Sequence, residues 1–118
     1  MSSVHYFEQK IPADDGLLLN FYHWEPQNAK AAVVISHGWS EHAGRYTALV
    51  DWFNQHNYAV YALDHRGHGK SEGKRGHVRR WADYARDLEL LRSKVKCEKQ
   101  YLISISSAKL AYPFLLSV

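Results

Sequence analysis

The chain reads as an α/β protein: an N-terminal β-hairpin followed by parallel strands joined by crossover helices. Three observations predict this. Ala31 to Ile35 and Tyr58 to Leu63 are short, continuous apolar runs without polar alternation, as expected of strands covered on both faces. Between and after them, apolar residues recur at spacings of three and four, the helical period. Turn-forming residues stand at the junctions.

Val4 to Glu8 and Leu17 to Trp24 are rich in aromatic and β-branched residues, and Ala13-Asp14-Asp15-Gly16 between them supplies a turn in which Gly can take positive φ. These segments form the hairpin. Pro26-Gln27-Asn28 breaks the chain before the first buried strand, Ala31 to Ile35, which stops at Ser36-His37-Gly38. From Tyr46 onward, Tyr46, Leu49, Val50 and Phe53 share one face of a helix that ends near Asn57. Tyr58 to Leu63 is the next buried strand. Asp64 to His77 holds Gly67, Gly69, Gly73 and Gly76, too much glycine for a regular element, and reads as a long loop. Trp81, Tyr84, Leu88, Leu91 and Val95 then mark a second helix, with Asp83 in its first turn and Arg92, Lys94 and Lys96 near its end, where each charge complements the helix dipole. Tyr101 to Ile105 is a fifth strand. Ala108 to Val118 is apolar but interrupted by Pro113.

Composition narrows the function. With 46% apolar and 23% charged residues the chain belongs with folded proteins rather than disordered ones. A net charge of +3, with bases and acids interleaved except around Lys74, Arg75, Arg79 and Arg80, argues against a nucleic-acid partner. Cys97 is the single cysteine, so no internal disulfide forms. The first ten residues do not resemble a secretory signal, and Leu110 to Val118 is too short to be a transmembrane segment; a cytoplasmic location is expected.

Two motif readings fail on spacing. Gly67-His68-Gly69-Lys70-Ser71 ends like a phosphate-binding loop, but the position that needs the leading glycine is Asp64, and no helix follows at once. His65 and His68 are three apart, and His37 and His42 five apart, without a Cys or carboxylate set to complete a metal site. No cofactor and no metal are expected, and these histidines read as polar loop residues bonded to backbone.

By chain order the strand ends, where ligands bind in such sheets, are followed by His37 to Gly44, Asp64 to His77 and Ser104 to Lys109. His37-Gly38-Trp39-Ser40-Glu41-His42-Ala43-Gly44-Arg45-Tyr46 resembles the His-Gly-x-x-Glu-His-x-x-Arg-Tyr segment of the monoacylglycerol lipase and lysophospholipase group of α/β-hydrolases. Asp64-His65-Arg66-Gly67-His68-Gly69-Lys70-Ser71 is similar to that group's Asp-x-Arg-Gly-x-Gly-x-Ser segment, and the likeness continues through Trp81 to Leu88. It covers about residues 5–96 of a single partial domain, 1–118, and leaves 97–118 diverged. The resemblance implies a serine hydrolase acting on acyl esters or lysolipids. It places an oxyanion-hole donor at the backbone N–H of Trp39 and a second at Ser107, with His37, Gly38, Asp64, Arg66, Gly67 and Gly69 in structural support, Asp64 and Arg66 bracing the loop by charge-assisted hydrogen bonds.

The pattern breaks at the nucleophile. Where the family has Gly-x-Ser-x-Gly, this chain has Ser104-Ile105-Ser106-Ser107-Ala108, which puts Ser106 at the catalytic position and removes both glycines from a crowded turn. Pro113 falls where the supporting helix is expected. The triad order is Ser, acid, His, yet all eight histidines precede Ser106. The expectations are therefore an incomplete sheet, an inactive chain from a truncated or frame-disrupted gene, and self-association through the open edge of the fifth strand. Two rival readings are a noncatalytic lipid- or protein-binding module and one half of a split hydrolase.

Overall fold

The structure, a computed structural model, describes residues 4–36, 47–74, 81–104 and 114–117. Its elements in chain order are β1 (Val4–Pro12), β2 (Leu18–Pro26), β3 (Ala31–Ser36), α1 (Thr47–Gln55), β4 (Tyr58–Leu63), α2 (Trp81–Lys94), β5 (Gln100–Ser104) and β6 (Phe114–Ser117). They form one sheet in the order β1-β2-β4-β3-β5-β6.

The hairpin turn is set by local chemistry. Gly16 sits at φ +86°, its N–H donates to the Ala13 carbonyl at 2.9 Å, and the Asp15 carboxylate accepts from the Leu17 N–H at 3.2 Å. β1 and β2 pair antiparallel from Val4 opposite Pro26 to Pro12 opposite Leu18. β2 joins β4 antiparallel, while β3 pairs parallel with both β4 and β5. The helices between these strands make the parallel pairing possible, since a short turn cannot return the chain to the same end.

Strand alternation divides the apolar side chains between two layers. Ala32 and Val34 of β3, Ala59, Tyr61 and Leu63 of β4, and Leu19 and Phe21 of β2 pack with Leu91 of α2. Val33 and Ile35, Val60 and Ala62, and Tyr22 pack with Val50 of α1. Every residue of β3 is buried, which is why its sequence shows no polar alternation. Helix α1 closes with the Asn57 N–H donating to the Asn54 carbonyl at 3.0 Å and Asn57 itself in the left-handed region, at φ 65°.

The C-terminal tail departs from the sequence reading. Phe114–Ser117 is a strand, antiparallel to β5, with Ser104 opposite Phe114 and Tyr101 opposite Ser117. The expected helix is absent from these residues, and β5 is not an open edge; the outer strands are β1 and β6. The reason is physical: a four-residue apolar run is too short to distinguish helix from strand by period, and an unpaired neighbouring strand offers it a ladder.

Candidate active-site face

Parallel register puts the carboxyl ends of the central strands together. Ser36 lies opposite Leu63 of β4 on one side and Ser104 of β5 on the other. The segments beginning at 37, 64 and 105 thus leave the sheet from three adjacent strand ends, the position of ligand sites in open α/β sheets. His37, Gly38, Trp39, Ser106 and Ser107 lie outside the described residues. Asp64, Arg66, Gly67 and Gly69 lie within them.

The loop from Asp64 to Lys74 is tied to the sheet by its own carboxylate. Asp64 is fully buried, and its Oδ2 accepts from the Tyr22 hydroxyl at 3.0 Å, the Lys70 N–H at 3.1 Å and the Asn20 side-chain amide at 3.4 Å. Burial first, and then the Asp64 charge, push the Tyr22 phenol well above its ordinary pKa, so it stays a donor. Ser71 Oγ accepts the Asn20 N–H at 2.7 Å and donates to the Asp64 carbonyl. Gly69, at φ +52°, packs so closely that a Cβ there would stand 2.5 Å from the Asp64 carboxyl carbon. A glycine-rich stretch that ends like a phosphate loop therefore wraps a carboxylate from its own chain. Gly67, at φ 77°, donates its N–H to the Glu72 carbonyl at 2.9 Å and closes the loop.

Arg66 points the other way, toward α2 and the hairpin turn. Its Nε and Nη2 donate to both oxygens of Asp87 at 2.7 and 2.8 Å, and Nη1 donates to Asp15 at 2.8 Å. Asp83 Oδ2 lies 4.0 Å from Nη1 as a third, longer ion-pair partner, whereas Asp64 accepts from Tyr22, Asn20 and Lys70. Burial pushes the Asp87 carboxyl pKa up, with the guanidinium opposing it, while the same guanidinium holds Asp15 below the ordinary carboxylate range. Arg86 adds a second bridge across the same seam, to Asp83 at 2.5 Å and to Asp14 at 3.3 Å.

Two contacts had no signal in the sequence. Ser36 Oγ and His65 Nε2 lie 2.8 Å apart and buried, joining the end of β3 to the residue two beyond β4. His65 also packs against the Tyr84 ring, at 4.8 Å between centroids. Asp87 could have been foreseen only from its spacing, one turn after Asp83 on the sheet-facing side of the helix. His68 bonds the Arg66 carbonyl through Nδ1 at 3.1 Å. Among the described residues no three His, Cys, Asp or Glu side chains gather as a metal site, and no helix is long and apolar enough to cross a membrane.

Comparison with known proteins gives this arrangement its context. The family described as serine aminopeptidase, S33 (Hydrolase_4) matches residues 27–107. The monoacylglycerol lipase of Mycolicibacterium smegmatis is 42% identical over 85 residues, which cover 71% of this chain and 30% of that protein. The monoglyceride lipase of Rattus norvegicus is 41% identical over 75 residues, or 63% of this chain and 25% of that protein. A solved soluble variant of monoglyceride lipase from Saccharomyces cerevisiae, in complex with a substrate analog, superimposes with a TM-score of 0.72 at 23% identity over 86% of this chain and 34% of that one, a likeness of fold. The chain thus spans about a third or less of the length of these relatives. With the family match extending over most of its length, the chain belongs to the serine aminopeptidase family of α/β-hydrolases, in its monoacylglycerol lipase group.

Proposed function

We propose that this chain is the front part of a serine hydrolase that cleaves carboxylic esters of acylglycerols or lysophospholipids, and that these 118 residues do not turn over esters by themselves. The observation that supports the reading is the strand-end register, Ser36 beside both Leu63 and Ser104. It starts the segment bearing Trp39 and the segment bearing Ser106 from adjacent strands. Acyl transfer needs a nucleophile and fixed N–H donors within reach of one carbonyl carbon. In this reading the Trp39 and Ser107 N–H groups hold the oxyanion, Ser106 stands at the nucleophile position, and Asp64 and Arg66 keep the intervening loop in place. A missing oxyanion donor costs about 3–4 kcal/mol of transition-state stabilisation. Without a base the serine hydroxyl is a poor nucleophile at neutral pH, and no histidine follows Ser106 among these residues.

The test is labelling with a fluorophosphonate followed by mass-spectrometric mapping. Ser106 in the chain alone reacts no faster than free serine. Rapid stoichiometric labelling of Ser106 would show that a group within this chain activates it, and would overturn the second half of the reading. The split-hydrolase alternative meets a specific obstacle in β6, which already occupies the edge of β5 that a complementing strand would need.

A further inference from the structure

A second feature lies away from the strand ends, on the sheet face bordered by the end of α2. Strand register lines Phe7, His23 and Tyr61 across β1, β2 and β4: Phe7 stands opposite His23, and His23 opposite Tyr61. Their rings form a continuous row, with 5.6 Å between the centroids of Phe7 and His23 and 3.9 Å between those of His23 and Tyr61. Gln9, Ile11 and Phe21 extend this floor, and Lys94 and Lys96 stand at its rim. Together they enclose a half-open cleft of about 450 Å³, within the roughly 300–1,000 Å³ range of small-molecule sites.

We propose that this cleft binds a fatty-acid anion, its alkyl chain along the Phe7, Phe21 and Ile11 floor and its carboxylate between Lys94 and Lys96. Tyr61 is 2% exposed and its hydroxyl is buried beside the Lys96 backbone, so it serves the cleft through its ring alone. The floor is apolar and partly wet, Phe7 being 44% exposed on the outer strand. Charge selects the head group. Burial depresses the pKa of His23, leaving the two lysines as the cations of the cleft, while the nearby Glu25 carboxylate is engaged by His23 Nε2 at 2.6 Å. An alkyl chain with a cationic head meets the wrong charge at the rim. This site stands independently of the hydrolase reading, because it uses none of the strand-end residues.

The experiment is a titration of the full-length isotope-labelled chain with decanoate below its aggregation concentration, followed by backbone and imidazole NMR shifts. Saturable shifts are expected at Phe7, Phe21, His23, Tyr61 and Lys96. Decyltrimethylammonium, of equal chain length, and a Lys94→Glu/Lys96→Glu double variant titrated with decanoate should each show binding about tenfold weaker, the worth of one charge-assisted hydrogen bond. Both lysines are exposed, so the variant retains the fold, and the comparison of the two detergents needs no variant. Absence of saturable shifts at these residues, or equal binding of the cationic analogue, overturns the proposal.

Discussion

Arg66 is the residue on which the described part of the site depends most. It is 8% exposed and joins the loop after β4 to α2 through Asp87 and to the hairpin turn through Asp15. Arg66→Ala leaves the Asp87 carboxylate buried without its counter-charge, a loss of about 3–5 kcal/mol on breaking a buried pair. Against a total domain stability of about 5–15 kcal/mol, that shift should be plain in a urea melt. Arg66→Lys should recover little of it, because a point charge cannot reproduce the fork that meets both Asp87 oxygens and Asp15. The pH dependence has a definite sign. Asp15 titrates lower in the folded chain than in the unfolded one, so its ionised form stabilises the fold above the ordinary carboxylate range, and that contribution is lost as pH falls through the depressed folded value. Asp87, raised by burial, works in the opposite sense, its unfavourable contribution growing as pH rises through its folded value. Comparing wild type with Asp15→Asn isolates the first effect. The variant should melt earlier near neutral pH by about 0.2–1 kcal/mol, as for a partly exposed pair, and the difference should vanish in strong acid.

The glycines permit a second comparison at the same scale. Gly16 and Gly69 both have positive φ, but a Cβ at Gly16 meets nothing within 4 Å, whereas one at Gly69 meets the Asp64 carboxyl at 2.5 Å. Gly16→Ala should cost only the left-handed backbone, about 1–2 kcal/mol. Gly69→Ala must also displace a fully buried carboxylate, so its loss measured by urea denaturation should be the larger of the two. An equal loss would mean that Asp64 can move freely, contrary to its three described acceptor contacts.

Elements were legible in the sequence wherever both faces of a strand are covered or a helix has one sheet-facing side. Tyr58–Leu63 has the limits that its apolar run marks, and α2 ends one residue short of its last periodic position, Val95. The hairpin strands run longer than their aromatic cores, because pairing continues through Lys10 and Ile11 on one side and Glu25 and Pro26 on the other. What could not be read was long-range pairing. The hydrogen-bonded partners of Arg66 come from 51 and 21 residues away, and neither separation has a periodic signature. The strand Phe114–Ser117 depends on an opportunity at the sheet edge and not on local propensity. Its role can be tested by removal. A chain ending at Ser107 exposes the ladder groups of β5, and its sedimentation coefficient should rise with concentration more steeply than that of the full chain. Identical behaviour of the two would show that β6 does not protect this edge.

At the scale of the whole molecule, three parallel strands with a helix on each face are enough to bring the segments of the site to one end of the sheet. The family resemblance was legible because it rests on long strings at strand ends, where chemistry constrains residue type more tightly than packing does. The matched portion is 30% of the Mycolicibacterium smegmatis lipase and 25% of the rat enzyme, so most of those proteins has no counterpart in these residues. In the proposed function the α/β-hydrolase frame, which this chain shares, is separate from the turnover that a general base would confer. Release of glycerol from a monoacylglycerol, by the purified chain and by its Ser106→Ala variant under identical conditions, tests that separation most directly. Equal rates, both at the level of buffer, are the expected result; glycerol release that is clear in the chain and lost in the variant would contradict it.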